Sequence, residues 1–257
     1  MIRVARLLWV GVWFNLKGLS VNAFFVMTAI IQPVIFASIA FFLFKAGARP
    51  ESLLYVALGA GLMGIWSSTL FASGGVLQHQ RWQGTLELCI ASPPPFVQVL
   101  APATLATAAI GLYSVVATLL WGRLFFDVPL SFEHPFLFAL ALVGTVLSLG
   151  TLGLVMASTF IRYRHANALS NLLEYPVWLV SGLLIPVSLL PGWAAPISWV
   201  LAPTWGVRAV RESALGGSPL PDIAMCFGLA AVYLVLGTVL LTWFERLARE
   251  EATLSLT

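Results

Sequence analysis

The chain has 257 residues, 60% hydrophobic and only 9% charged, with a formal net charge of +3 and a mean hydropathy of +0.96. Soluble domains carry about 25% charged residues, so this composition excludes an ordinary soluble domain and places most of the chain in lipid. Its few basic residues are scattered, which argues against a nucleic-acid surface and suits basic residues flanking membrane segments.

The first element is RVARLLWVGVWFNLKG, residues 3–18. At helical spacing Arg3, Arg6, Val10, Trp13 and Lys17 form one stripe, while Leu7, Leu8, Val12 and Leu16 lie largely elsewhere on the surface. A basic stripe with Trp and Leu nearby predicts a helix lying in the membrane interface. The competing reading, a signal peptide, has too short an apolar core here and no small-residue cleavage site after it.

An apolar run of about 20 residues crosses a bilayer. Six such runs follow, at residues 24–44, 53–77, 96–121, 135–160, 172–190 and 223–244. Pro33 interrupts the first, and glycines gather in the second (Gly59, Gly61, Gly64) and fourth (Gly144, Gly150, Gly153). Small residues let helices approach closely in lipid, so packing is the expected role of each glycine. Cys89 and Cys226 lie in different segments and read as buried thiols rather than a disulfide or metal site. The three histidines have no metal-ligand spacing either.

Between the second and third runs lies QRWQGTLELCIASPPP, Gln80 to Pro95, the longest polar-rich interruption in the first half of the chain. Gly84 allows a sharp turn, Thr85 is suited to cap a helix, and Glu87 sits in its first turn, where the helix dipole favours a carboxylate. Pro93, Pro94 and Pro95 end that helix by about Ser92, which makes it roughly two turns long. The segment resembles the loop between the first two transmembrane hairpins of type-2 ATP-binding-cassette (ABC) permeases. There the pattern acidic-Arg-x-x-Gly-Thr-Leu-Glu followed by Ser-Pro is typical. Arg81, Gly84, Thr85, Leu86, Glu87, Ser92 and Pro93 are in register with it. The chain departs from the pattern at Gln80, where an acidic residue is common, and at Ala101-Pro102, where Gly-Lys is often found.

Further along, Ile161–Leu169 (IRYRHANAL) is a second loop on the same side, with Arg162 and Arg164 as headgroup anchors or ATPase contacts. Glu174 follows Asn167 and Asn171 near the start of the fifth run. An ionisable group inside a membrane helix marks function by default. Two roles stand open for it: a gate or substrate contact, or an interfacial partner of Arg162 or Arg164. From Leu184 to Pro221 the chain is punctuated by Pro186, Pro191, Pro196, Pro203, Pro219 and Pro221, with Trp193, Trp199 and Trp205 between them. No straight span holds prolines this dense. Two short pieces that dip into the outer leaflet and return fit better, with the tryptophans at the headgroups and Arg208, Arg211 and Glu212 facing the exterior. This stretch too resembles the external re-entrant helices that follow the fifth span of type-2 ABC permeases.

An even number of spans puts both termini on one side. That side carries Arg3, Arg6, Lys17, Arg81, Arg162, Arg164, Arg246 and Arg249, against Lys45, Arg49, Arg123, Arg208 and Arg211 on the other. The excess predicts cytoplasmic termini in a cell (plasma or inner) membrane, with the 80–95 loop on the cytoplasmic side.

The expected fold is therefore an all-α integral membrane domain over 1–257 with six transmembrane helices. The resemblance adds an N-terminal elbow helix (1–20), a cytoplasmic coupling-helix loop (78–95) and an external re-entrant segment (187–215). It implies an exporter's permease subunit working with two ABC ATPase subunits and a second permease subunit, identical or related. ATP and magnesium would be held by the ATPase, since no Gly-x-x-x-x-Gly-Lys-[Ser/Thr] occurs in the chain. No catalytic constellation is present either, so no enzyme activity and no cofactor are expected of the chain itself. In the coupling helix, Arg81 and Glu87 are the expected polar contacts and Leu86 and Leu88 the buried ones, on a helix shaped by Gly84 and Thr85. The cargo path, which the resemblance lines with the first, second and fifth spans, has Gln32, Ser38, Trp66, Ser67, Ser68, Thr69 and Ser181 as candidates, with Glu174 as its possible gate. With almost no charge inside the membrane, an amphiphilic or apolar cargo (drug, lipid, glycolipid-like) fits best. A polysaccharide and, further off, an ion-coupled secondary transporter are the alternatives.

Overall fold

In a computed structural model, residues 2–46, 53–82, 84, 95–160, 166–184 and 186–251 are described, and among these every regular element is helical. In chain order they are α1 (Ile2–Val21), α2 (Ala23–Ala46), α3 (Leu53–Trp82), α4 (Phe96–Ile110), α5 (Leu112–Phe126), α6 (Pro135–Phe160) and α7 (Ala166–Val180). A 3-10 turn (Val187–Leu189), α8 (Ala194–Val200), α9 (Ala202–Leu215) and α10 (Pro219–Glu251) complete the order.

Among the described residues, four stretches are long and apolar enough to cross a membrane: Leu53–Phe71, Phe96–Phe126, Pro135–Thr159 and Pro219–Phe244. They match the second, third, fourth and sixth expected spans. The third is two helices, α4 and α5, that meet at Gly111, where an added Cβ would lie 2.5 Å from Ile65 Cα. The first expected span lies within α2, a 24-residue helix containing Pro33, whose apolar stretch among the described residues is the shorter Ala29–Leu43.

The fifth expected span, 172–190, needs correction. Its helix begins earlier, at Ala166, and stops at Val180 after 15 residues. Gly182 then takes φ +85°, the left-handed conformation that commonly follows a helix's last turn and that glycine adopts without a Cβ clash. Hydropathy stays high through the break, so an apolar run hides it.

α3 is the central post. It packs against α2, α4, α5, α6, α7 and α9, and an 18-residue window within Leu53–Phe71 is 94% buried, against 22% for one within Pro219–Phe244 of α10. Leu58, Ile65, Trp66 and Leu70 of α3 join Phe41, Leu149 and Trp178 in one core. Close approach replaces hydrophobic drive here. Ser114 Oγ of α5 donates to Gly61 O of α3 at 2.5 Å, and Trp121 Nε1 of α5 donates to Ser38 Oγ of α2 at 2.9 Å. Peripheral α1 packs chiefly on α4 and leaves Arg6, Val10, Trp13 and Lys17 of its basic stripe exposed.

The proline-rich stretch forms two short helices, α8 and α9, parted by the extended Leu201. One expectation for it is overturned. Arg208 is exposed and pairs with Asp222 at 3.2 Å, but Arg211 is buried, at 7% exposure. Its Nη1 and Nη2 donate to Gly182 O and Leu183 O at 2.8 and 2.9 Å, its Nε to Tyr55 O at 3.3 Å, and its guanidinium stacks 3.5 Å from the Tyr55 ring centre. The chain end of α7 supplies orphan carbonyls and the negative end of a helix dipole, both of which favour a cation. Burial lowers the Arg211 pKa to about 10, which leaves it charged at neutral pH.

Candidate functional site: a carboxylate cavity between α2, α3 and α7

Three helical stripes enclose a cavity of about 530 Å³. From α2 come Ala29, Gln32, Pro33 and Phe36; from α3, Met63, Gly64, Ser67, Ser68, Phe71 and Gly75; from α7, Asn171, Glu174, Tyr175 and Trp178. Each stripe follows the i, i+3, i+4, i+7 rule that puts residues on one helix face. Gly64 sets the depth of the middle wall, because a Cβ there would lie 2.7 Å from Pro33 Cγ and closer still to Ser114.

Glu174 is the charged centre of this lining and is only 2% exposed. Ser67 Oγ donates to its Oε1 at 2.5 Å, and Gln32 Nε2 reaches the same oxygen at 3.4 Å. Groups from all three walls thus converge on one carboxylate oxygen. Around it, Phe36 and Tyr175 each meet Trp178 edge to face at ring separations of 5.1 Å. Trp178 is 2% exposed, and its Nε1 has no hydrogen-bond partner among the described residues. Ser68 and Asn171 add further polar groups, the rest of the wall is mostly apolar, and among the described residues no lysine or arginine lines it.

Of the candidate path residues, Gln32, Ser67, Ser68 and Glu174 meet at this cavity. The other four lie off it. Ser38 bonds Val34 O and receives Trp121. Trp66 is buried in the core with its Nε1 unpartnered among the described residues. Thr69 bonds Ile65 O on its own helix, where its methyl would crowd a Cβ added at Gly153 of α6. Ser181 is buried just past the end of α7. Helical phase explains the split, since positions 66 and 69 lie outside the 64, 67, 68, 71, 75 stripe. Asn171, Tyr175, Trp178, Phe36 and Phe71 were missed by sequence reasoning, although stepping three or four residues along each helix from Gln32, Ser67 and Glu174 reaches all but Tyr175, which lies four residues beyond Asn171. Arg162 and Arg164, the other expected partners of Glu174, lie outside the described residues.

The coupling-loop candidates divide differently. Arg81 falls within the last turn of α3, and Gly84 forms a turn with φ +64°. Thr85, Leu86, Glu87 and Leu88 lie outside the described residues.

A family profile described as "ABC-2 type transporter" matches residues 6–215. The match takes in most of α1, every helix from α2 to α9 and all three walls of the cavity. The chain belongs to the ABC-2 type transporter family. Comparison with curated proteins finds no match. As an ABC-2 permease it is a multi-pass membrane protein, and the permease domain itself lacks ATPase activity. Permeases of this family work with ATPase subunits. No group of three or more metal-ligating side chains occurs among the described residues of the permease.

Proposed function

We propose that this chain is the membrane subunit of an exporter that carries an amphiphilic or apolar molecule across a cell membrane, with the cavity between α2, α3 and α7 as part of the cargo path. The observation that carries this reading is the cavity itself. It is of ligand size, mostly apolar, and built from the segments that correspond to the first, second and fifth spans. In this reading α2 and α7 complete a six-span plan with the four longer spans, α1 lies in the interface, and α8 and α9 form an external re-entrant unit. Both termini are cytoplasmic, and two permease subunits, identical or related, assemble with two ATPase subunits.

The engine contact is the loop 78–95. Arg81 and Glu87 make polar contacts with the ATPase while Leu86 and Leu88 fill its groove. Closure of the ATPases on ATP then moves α3, because α3 runs without interruption from the loop to the cavity wall. Such coupling requires different contacts in the nucleotide-bound and nucleotide-free states. A polysaccharide cargo is less well matched, since the aromatic residues beside Glu174 pack edge to face with one another rather than forming an extended flat platform.

Affinity purification from native membranes in mild detergent tests the assembly. A near-stoichiometric subunit with nucleotide-binding motifs is expected with the wild-type chain. The double variant R81E/E87K is expected to remain membrane-inserted and lose that subunit. Purification of the wild-type chain alone, with or without nucleotide, would overturn the reading and favour an ion-coupled carrier.

A further inference from the structure

The geometry points to Glu174 as the anchor for an organic cation: a ligand with a protonated amine or quaternary centre and an apolar body, seated among α2, α3 and α7. This rests on reading the cavity as part of the cargo path and deepens it by naming the class of cargo.

A carboxylate taken out of water is unfavourable unless it is paired. At Glu174 both observed donors, Ser67 and Gln32, address Oε1, and no described residue donates to Oε2. Among the described residues no cationic side chain lines the cavity. The other buried charges among the described residues are not partners: Asp222 is itself an acid, paired with Arg208, and Arg211 lies elsewhere. It binds Tyr55 O, twelve residues before Ser67 on α3, roughly 18 Å away along the helix axis at 1.5 Å per residue. Its own donors are already directed at three backbone carbonyls.

The rest of the lining selects the kind of cation. Phe36, Phe71, Tyr175 and Trp178 line the same cavity as Glu174, and aromatic faces attract an organic cation through the ring quadrupole while excluding strongly hydrated ions. Met63 and Pro33 add apolar wall for the body of the ligand. An anion would face Glu174 with no opposite charge in the lining. A bulky monovalent organic cation satisfies both the carboxylate and the aromatic wall.

The test compares two probes of the same shape and opposite charge, tetraphenylphosphonium and tetraphenylborate. The full chain in zwitterionic lipid nanodiscs is dialysed to equilibrium against each, with empty nanodiscs as background. The wild type is expected to bind tetraphenylphosphonium saturably and to show no saturable binding of tetraphenylborate. E174Q should weaken phosphonium binding about tenfold or more, E174D should retain part of it, and E174K should abolish it. Equal affinity of wild type and E174Q would overturn the proposal, as would saturable borate binding equal to that of phosphonium, or no saturable phosphonium binding. The wild-type comparison of the two probes decides even if a variant fails to fold. Binding is read without any ATPase, so its failure stays distinct from a failure of subunit association.

Discussion

Among the described residues three charged side chains are buried, Arg211, Glu174 and Asp222. Asp222 is paired with the exposed Arg208, and the other two are accommodated by opposite means. Arg211 of α9 is enclosed, its guanidinium shared among three backbone carbonyls and the Tyr55 ring. Glu174 of α7 has both its donors on one oxygen and a cavity around it. A buried charge held by several backbone carbonyls and a stacked ring holds structure together. A buried charge half satisfied at a cavity is available to something that enters. Arg211 therefore ties the break after α7 to α3, while Glu174, seven residues before Ser181 in the chain, lines the cavity in which the proposed cargo cation would meet it.

The comparison breaks first at Arg211. R211M keeps much of the volume but leaves the carbonyls of Gly182 and Leu183 without this donor, and buried unsatisfied carbonyls are costly. A loss of about 3 kcal/mol is expected, read as a marked drop in the thermal midpoint of the purified protein. An unchanged midpoint would mean that the guanidinium is not structural. G59A approaches the same lock from α3. Its Cβ would lie 2.5 Å from Leu183 O and still closer to Arg211 Nη2, so a destabilisation of about 1–3 kcal/mol is expected from overpacking. It should be largely non-additive with R211M, because the two share one contact. E174Q gives the smallest stability change. Replacing a buried carboxylate by its neutral isostere is often neutral or stabilising, so the midpoint should stay within about 1 kcal/mol of wild type or rise. A collapse of stability in E174Q would place Glu174 beside Arg211 as a structural charge.

Much of this was legible in the chain. Hydropathy located the helices of the four long spans because an apolar run of that length has no other stable home. The basic and aromatic spacing of residues 3–18 foretold α1 with its exposed stripe. Prolines foretold the short helices of the stretch before the last span. The end of α7 was misread, although Gly182 followed by Pro186 is a recognisable stop signal. The apolar residues on either side concealed it, because membrane hydropathy reports solvent preference and not backbone conformation.

The cavity divides along the same line. That Gln32, Ser67 and Glu174 were worth attention followed from their polarity in apolar segments, a local property. That they converge, while Ser38, Trp66, Thr69 and Ser181 do not, depends on the rotational phase of three helices against one another. Arg211 was expected at the exterior because arginine on a short amphipathic helix ordinarily is. Its burial depends on carbonyls released by a helix end about thirty residues earlier in the chain. Composition, apolar length and local turn chemistry are carried by neighbouring residues, so the sequence alone determined a helical membrane protein and most of its segments. Which polar groups meet, and which buried charge is locked or left open, is decided by packing between distant segments, and only the tertiary structure supplies that.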